Sequence, residues 1–303
     1  MDLCDLRPSP LCVAPLYFRL KWEHYFGPMR SRLLTALSGL ALLALPGRVS
    51  AGGDDVPIGA RFGAMGNAGI TLVDLWSIRH NPAGLAGLEN PMAGIYFQSH
   101  WLSPDLTMKG LAAATPLGQG TLGLTVNDFG YELYREQRFG LAYAMRFGEA
   151  LRASVQFDYL GVRLGEGYGN TSAITAGLGM QARVTEKLWI GAHLYNPNRA
   201  ELGGPTNERV PTVLRAGMGY TFSDKLTVTG EAAKDIDREA SYRAGIEYHP
   251  TEVLYLRTGV STGPVQGHGG IGLRLKRLDV DLAVSFRSTL GATPQVNVNY
   301  RFP

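Results

Sequence analysis

From residue 92 to residue 302 the chain alternates apolar and polar side chains in run after run. In the last run Val296, Val298, Tyr300 and Phe302 fall on one side, and Gln295, Asn297, Asn299 and Arg301 on the other. Successive side chains of a strand face opposite ways, so each run predicts a strand with one greasy face and one wet face. The pattern predicts strands at 92–100, 107–116, 119–128, 136–147, 150–164, 170–184, 187–196, 211–222, 225–234, 239–249, 253–262, 266–276, 278–287 and 293–302. The apolar faces carry sets such as Phe139, Leu141, Tyr143, Met145 and Phe147, or Val280, Leu282, Val284 and Phe286. The opposite faces carry Asp158, Gln181, Arg183, His193, Arg215, Glu231, Arg243, Glu247, Arg257, Arg274, Asp281, Asn297, Asn299 and Arg301.

An even number of such strands predicts an all-β fold, a transmembrane antiparallel β-barrel of about 14 strands. One Arg facing lipid near the midplane costs about 2–4 kcal/mol, so the charges must line an interior, where their mixed signs suggest ion pairs across it. The sheet must close, because an open edge in lipid leaves N–H and C=O groups without partners. Connections after even-numbered strands are short, as in Thr185-Glu186-Lys187 or Ser223-Asp224-Lys225. Those after odd-numbered strands are longer, up to 197–210. Short periplasmic turns with longer outer loops fit this asymmetry and put both termini in the periplasm of a Gram-negative outer membrane. Tyr143, Phe147, Tyr220, Phe222, Tyr248, Tyr300 and Phe302 sit near strand ends, where an interfacial girdle belongs. A soluble sandwich would also alternate. Its strands average five or six residues, however, and these runs are longer.

The start of the chain reads differently. Arg30 and Arg32, the apolar stretch 33–45 and the small residues Val49-Ser50-Ala51 form an export signal over 29–51, preceded by a leader of doubtful status at 1–28. The apolar core is too short to span a membrane as a helix. Cleavage after Ala51 would remove Cys4 and Cys12, and with them disulfide and thiolate chemistry. It would also remove Arg7, Arg19, Lys21, Arg30, Arg32, Arg48, Asp2, Asp5 and Glu23, leaving 23 basic and 23 acidic residues. That balance gives no argument for a nucleic-acid partner.

Residues 52–91 lack strand alternation and precede the barrel domain, 92–303. They contain the small-residue run 59–69, an apolar run from Ile70 to Trp76, and Asn81-Pro82-Ala83-Gly84-Leu85. Asn before Pro is a helix cap followed by a pre-set first helical position. A segment without strand signal cannot lie in lipid, so it hangs in the periplasm or folds into the lumen.

Gly59-Ala60-Arg61 through Met65-Gly66-Asn67-Ala68, the acid Asp74, and Asn81 to Leu85 resemble the N-terminal signature of the FadL-like outer-membrane superfamily, most of all its PorV/PorQ-like branch. The resemblance implies a 14-stranded barrel holding an N-terminal hatch, with Asn81, Pro82 and Ala83 among the hatch residues. Asp74 is followed by Leu75 where those families carry a second acid. The outer loops are short for a lid-like capture site.

Other signals carry less. The strings Gly118–Gly123 and Gly267–Gly272 match Gly-x-Gly-x-x-Gly but lead into strands, whereas a dinucleotide site needs a following helix. His80, His100, His193, His249 and His268 show no metal-ligand spacing, and no Gly-x-Ser-x-Gly elbow occurs. Asp235, Asp237, Arg238 and Glu239 read as a solvated loop, with a rim hydrolase as the remote alternative. No cofactor and no enzymatic activity are expected. The first functional expectation is a hatch-gated passage for small, hydrophobic solutes. The second, from the resemblance, is an accessory or shuttle subunit of a surface-protein secretion system. The expected partners are outer-membrane lipid, the outer-membrane assembly machinery reading the aromatic-terminated last strand, and either a hydrophobic small molecule or secretion subunits.

Overall fold

A computed structural model of the chain describes residues 56–165, 169–203 and 208–303; the leader and the export signal lie outside them. The strands are β1 (Met92–Ser99), β2 (Thr107–Leu117), β3 (Gly120–Gly130), β4 (Tyr134–Phe147), β5 (Leu151–Leu164), β6 (Gly169–Arg183) and β7 (Leu188–Tyr195), followed by β8 (Val213–Ser223), β9 (Leu226–Asp235), β10 (Ser241–Tyr248), β11 (Leu254–Ser261), β12 (Gln266–Leu275), β13 (Leu278–Arg287) and β14 (Gly291–Arg301). Every end falls within two residues of its sequence expectation. Each strand pairs antiparallel with its neighbours, and β1 pairs with β14 from Met92↔Arg301 to Gln98↔Gln295. The ring is therefore closed and has no unpaired edge, the condition that hydrocarbon imposes.

The two faces follow the alternation. Outward side chains such as Leu124, Phe139, Phe157, Ile174, Leu178, Leu214, Val260 and Leu282 are exposed, forming an apolar belt far larger than a water-soluble surface carries. Phe147, Tyr220, Phe222, Tyr248, Tyr300 and Phe302 lie in or beside this belt at the end where the chain terminates, here the near end. Inward, the wall is uneven. Strands β1–β4 present small groups, including Gly94, Gly110, Ala112, Ala114, Gly123, Ala142 and Ala144. Strands β9–β14 present Glu231, Glu247, Arg257, Asp279, Asp281, Asn297 and Asn299, all buried.

Both kinds of wall face the same filling. Residues 56–91 run through the lumen as a short helix α1 (Ala60–Ala64) and two 3-10 helices, Leu75–Arg79 and Pro82–Gly87. Helix α1 packs on β11–β14, and the Pro82–Gly87 turn on β3–β6. Ile58, Phe62, Met65, Leu75, Trp76, Ile78 and Leu85 are buried in one cluster with Tyr96, Met108, Ala112, Ala114, Ala142 and Ala144. Small inner-wall residues thus make room for large plug residues. The sequence predicts ion pairs across an interior. The structure instead pairs the charges along the wall and with the plug, because the plug occupies the middle.

The longest connection, between β7 and β8, turns inward at the far end. Leu202 and Val210 are buried with Leu160, Val162, Ala173 and Tyr195 of the inner wall. Asn196, fully buried, holds the turn by donating to the Val210 carbonyl at 2.8 Å and accepting from the Ala200 N–H at 2.9 Å. A connection that reads as a plain outer loop thus covers part of the lumen.

Candidate functional site

Polar contacts fix the plug to the wall; three groups of them centre on Arg61, Glu231 and Asn81, and the Trp76 indole adds another by donating to Asn299 of β14 at 2.9 Å. The first begins at Arg61, a lone charge in a run of small and apolar residues. Its guanidinium grips Glu247 of β10 with two parallel bonds, Nε to Oε2 at 2.8 Å and Nη2 to Oε1 at 2.7 Å. This bidentate geometry is the strong form of the pair. Arg61 also donates to Asp74 at 3.2 Å and to the Val73 carbonyl at 3.0 Å. Glu247 accepts from Arg257 of β11 at 2.6 Å, and Arg257 donates to Asp281 of β13 at 2.6 Å. Asn297 of β14 donates to Asp281 at 3.0 Å, and its Oδ1 accepts from the Ala60 N–H at 2.8 Å. The chain of contacts leaves the plug at Arg61, crosses four strands and returns at Ala60. Burial works against the Arg61 charge, but the Glu247 and Asp74 carboxylates more than offset it and raise its pKa above the ordinary arginine value.

The second anchor is Glu231 of β9. Its Oε2 accepts from the N–H groups of Gly69 and Ile70, at 3.0 and 3.1 Å, and its Oε1 from Arg243 at 3.2 Å. Arg243 reaches the Asn67 carbonyl at 3.4 Å. The third is Asn81. Its Oδ1 accepts from the Ala83 N–H at 3.2 Å, capping the 3-10 helix that Pro82 opens. Its Nδ2 donates to the carbonyls of Ile70 at 2.9 Å and Met180 of β6 at 3.0 Å. Gln181 joins by donating to the Ile70 carbonyl at 3.0 Å. Pro82, Ala83, Gly84 and Leu85 are buried around this cap. Asp74 caps the Leu75–Arg79 turn through the Trp76 N–H at 3.0 Å, and Leu75, in place of a second acid, is buried in the apolar cluster.

The remaining predicted lumen residues divide by depth. Asp158 lies 3.8 Å from Arg79 of the plug, and Arg215 is buried on β8. Arg301 pairs with Asp279 at 3.0 Å, beside the Asn299 that Trp76 of the plug donates to, and Arg183 pairs with Glu149 at 3.0 Å at the exposed near end. Arg274 faces inward on β12 and sits over the Tyr255 ring. The histidines are scattered. His80 stacks on Phe62, His268 bridges Ser261 and Ser285, and His249 stacks on Tyr255. His193 lies on the inner wall of β7 and His100 at the far rim. Among the described residues no cluster of His, Cys, Asp and Glu could hold a metal ion. The glycine strings lie in the β2–β3 turn with β3, and within β12. Asp235, Asp237, Arg238 and Glu239 lie in the β9–β10 turn, where Arg238 and Asp235 approach to 3.7 Å.

Close backbone contact with the plug needs glycine at wall positions including Gly191 of β7, where a Cβ would lie 2.7 Å from the Ile70 carbonyl oxygen. A side chain at Gly259 of β11 would place its Cβ 2.3 Å from the Gly66 nitrogen, and one at Gly245 of β10 would lie 2.5 Å from the Met65 carbonyl oxygen. The plug backbone therefore rests directly on the wall there. Above it, at the far end, a cleft of about 250 Å³ is lined mostly by polar side chains, among them Gln98, Arg243, Ser285 and Gln295, with Val56, Pro57, Trp101 and Pro264 as its apolar members.

No family model and no curated protein match the chain by sequence. Solved structures do match it. The toluene transporter TbuX of Ralstonia pickettii superposes with a TM-score of 0.60 at 15% identity, over 81% of this chain and 98% of that one. The toluene transporter TodX of Pseudomonas putida gives 0.62 at 12% identity, over 82% and 98%. A FadL homologue of Pseudomonas aeruginosa gives 0.56 at 12% identity, over 82% and 99%. At these identities the likeness bears on the fold alone, the closed 14-stranded antiparallel barrel.

Proposed function

We propose that the chain is an outer-membrane passage for small hydrophobic molecules, with the 56–91 segment as its hatch. The observation that carries the reading is the way the lumen is filled. The plug is continuous with no wall strand except β1, and it is held by side-chain bonds that can exchange for water without breaking the barrel. The far-end cleft, with Trp101 and Pro264 among its apolar members, supplies a first resting place for a solute. Neighbours described as toluene transporters support the solute class. The short turns at the near end support an outer-membrane setting with both termini on the periplasmic side.

The test locks the hatch. Thr71 Cβ lies 3.3 Å from the position a Cβ would take at Gly219 of β8, close to the range of about 3.5–4.5 Å that a disulfide spans. The cysteine pair T71C/G219C should stop toluene uptake by cells that express the oxidised barrel, and reduction should restore it. Uptake no faster than in cells without the protein, whatever the redox state, refutes the passage.

A second reading, an accessory or shuttle subunit of a secretion system, has its own supporting observation: the lumen is packed with buried side chains at plug level. Isolation of the intact barrel with a stoichiometric surface-export partner, together with absent uptake, would favour it.

A further inference from the structure

The outward-facing positions of the fourteen strands are apolar or small almost throughout, and their charged members are Lys109, Asp128, Arg135, Arg163 and Lys234. All lie toward the far end, and all except Lys234 are contiguous on β2–β5. Arg135 and Arg163 are direct cross-strand partners, an arrangement of like charges that is destabilising when nothing lies between them. Asp128 is the outward carboxylate on these strands. It faces Lys109 across β2–β3 and accepts from Arg135 at 2.6 and 3.0 Å and from Gln137 at 3.1 Å. Glu132 in the β3–β4 turn lines the same groove, of about 480 Å³, so three cations stand against two acids.

We infer that this groove binds the phosphorylated headgroup of a membrane lipid. The planar fork of Arg163 suits a phosphate, and Arg135, whose Nε and Nη2 hold Asp128, adds its charge and its remaining Nη1 donor, so a phosphate seated between the two arginines removes their mutual repulsion. The wall below argues for a lipid over a free anion. Leu111 follows Lys109 by two residues, Val126 precedes Asp128 by two, and Phe139 follows Arg135 by four, all facing outward. Four residues of strand span about 13 Å, so one molecule can seat its head on the cations and its acyl chains on the apolar belt. Strands β4, β5 and β6 are the longest of the ring, with 14, 14 and 15 residues, and Arg135 and Arg163 stand at the far ends of β4 and β5. The inference rests on the membrane-spanning reading of the barrel, not on any solute passing through it.

The experiment is native mass spectrometry of the full barrel in detergent, titrated with diphosphorylated lipid A, its dephosphorylated form, or inorganic phosphate. Wild-type protein should retain one lipid A, and the triple variant K109Q/R135Q/R163Q at least tenfold less, with the heat-dependent gel shift of a folded barrel kept. K234Q should retain it as wild type does. If the triple variant misfolds, Arg163→Gln alone should lower retention at least threefold. Equal retention by the folded variant, or of the dephosphorylated lipid, overturns the proposal. Displacement of lipid A by an equal concentration of inorganic phosphate overturns it in favour of a free-anion site. A barrel that floats with vesicles and takes up toluene, yet shows no phosphate-dependent retention, fails this proposal alone; one that does not float fails the membrane reading.

Discussion

Replacing Glu247 by Gln tests whether the plug is held by its ion pair. The carboxylate accepts three charge-assisted bonds, two from Arg61 of the plug and one from Arg257 of the wall. Removing one partner of a buried pair costs about 3–5 kcal/mol. Here Arg61 keeps Asp74 and the Val73 carbonyl, and Arg257 keeps Asp281, so the loss sits at the low end. The Arg257 share stays within the wall whether or not the plug is seated. About 2–3 kcal/mol therefore falls on docking, which raises the undocked population about 30- to 140-fold. Trypsin reads that population, because Arg61 and Arg79 are only 8% and 5% exposed in the docked plug. When opening is fast relative to cleavage, the rate tracks the open fraction. Mass spectrometry of the fragments should show cleavage after Arg61 and Arg79 accelerated by that factor. Glu149→Gln, which removes an exposed carboxylate bonded to Arg183 in the β4–β5 turn, should leave both sites protected. An increase below threefold in the Glu247 variant, or an equal one in the Glu149 variant, refutes the reasoning.

Other substitutions probe the remaining contacts. Gly259→Val should expel the plug by clash with Gly66, giving steady rather than transient conductance in planar bilayers; a closed variant would show that the backbone contact is dispensable. Asn81→Ala removes a cap worth about 1 kcal/mol together with the bond to Met180, and hydrogen exchange should show faster opening of 82–87 than of α1. Burial pushes the His100 imidazole below its usual 6.5. Its neutral packing at the far rim is thus intact above that pH and weakens as pH falls through the lowered value, so an NMR titration should find its midpoint below 6.5.

Much of the wall was legible because a strand in lipid obeys a strict period of two. A charge outside costs several kcal/mol, so Glu247, Arg257 and Asp281 announce their inward direction from position alone, and closure follows from hydrogen bonding. Asn81-Pro82 likewise announces a capped helical turn, since the side-chain oxygen and the ring are local devices. Arg61 was visible as an isolated charge, but its partner was not.

What the sequence could not supply is which inward charge meets which, and where 56–91 goes. Glu247 lies 186 residues from Arg61, and Asn297 lies 237 from Ala60. Such pairings depend on the shear of the closed ring and on which wall is lined with small side chains. Ala112, Ala114, Ala142 and Ala144 read equally well as filler on any strand; only the closed barrel makes them a bed for Phe62, Trp76 and Leu85. The inward fold of the β7–β8 connection is of the same kind, because Leu202 and Val210 find apolar partners on β5, β6 and β7 only after those strands curve round to meet them. Alternation is enforced residue by residue by the solvent on each face; contacts inside a closed ring are set by the ring as a whole.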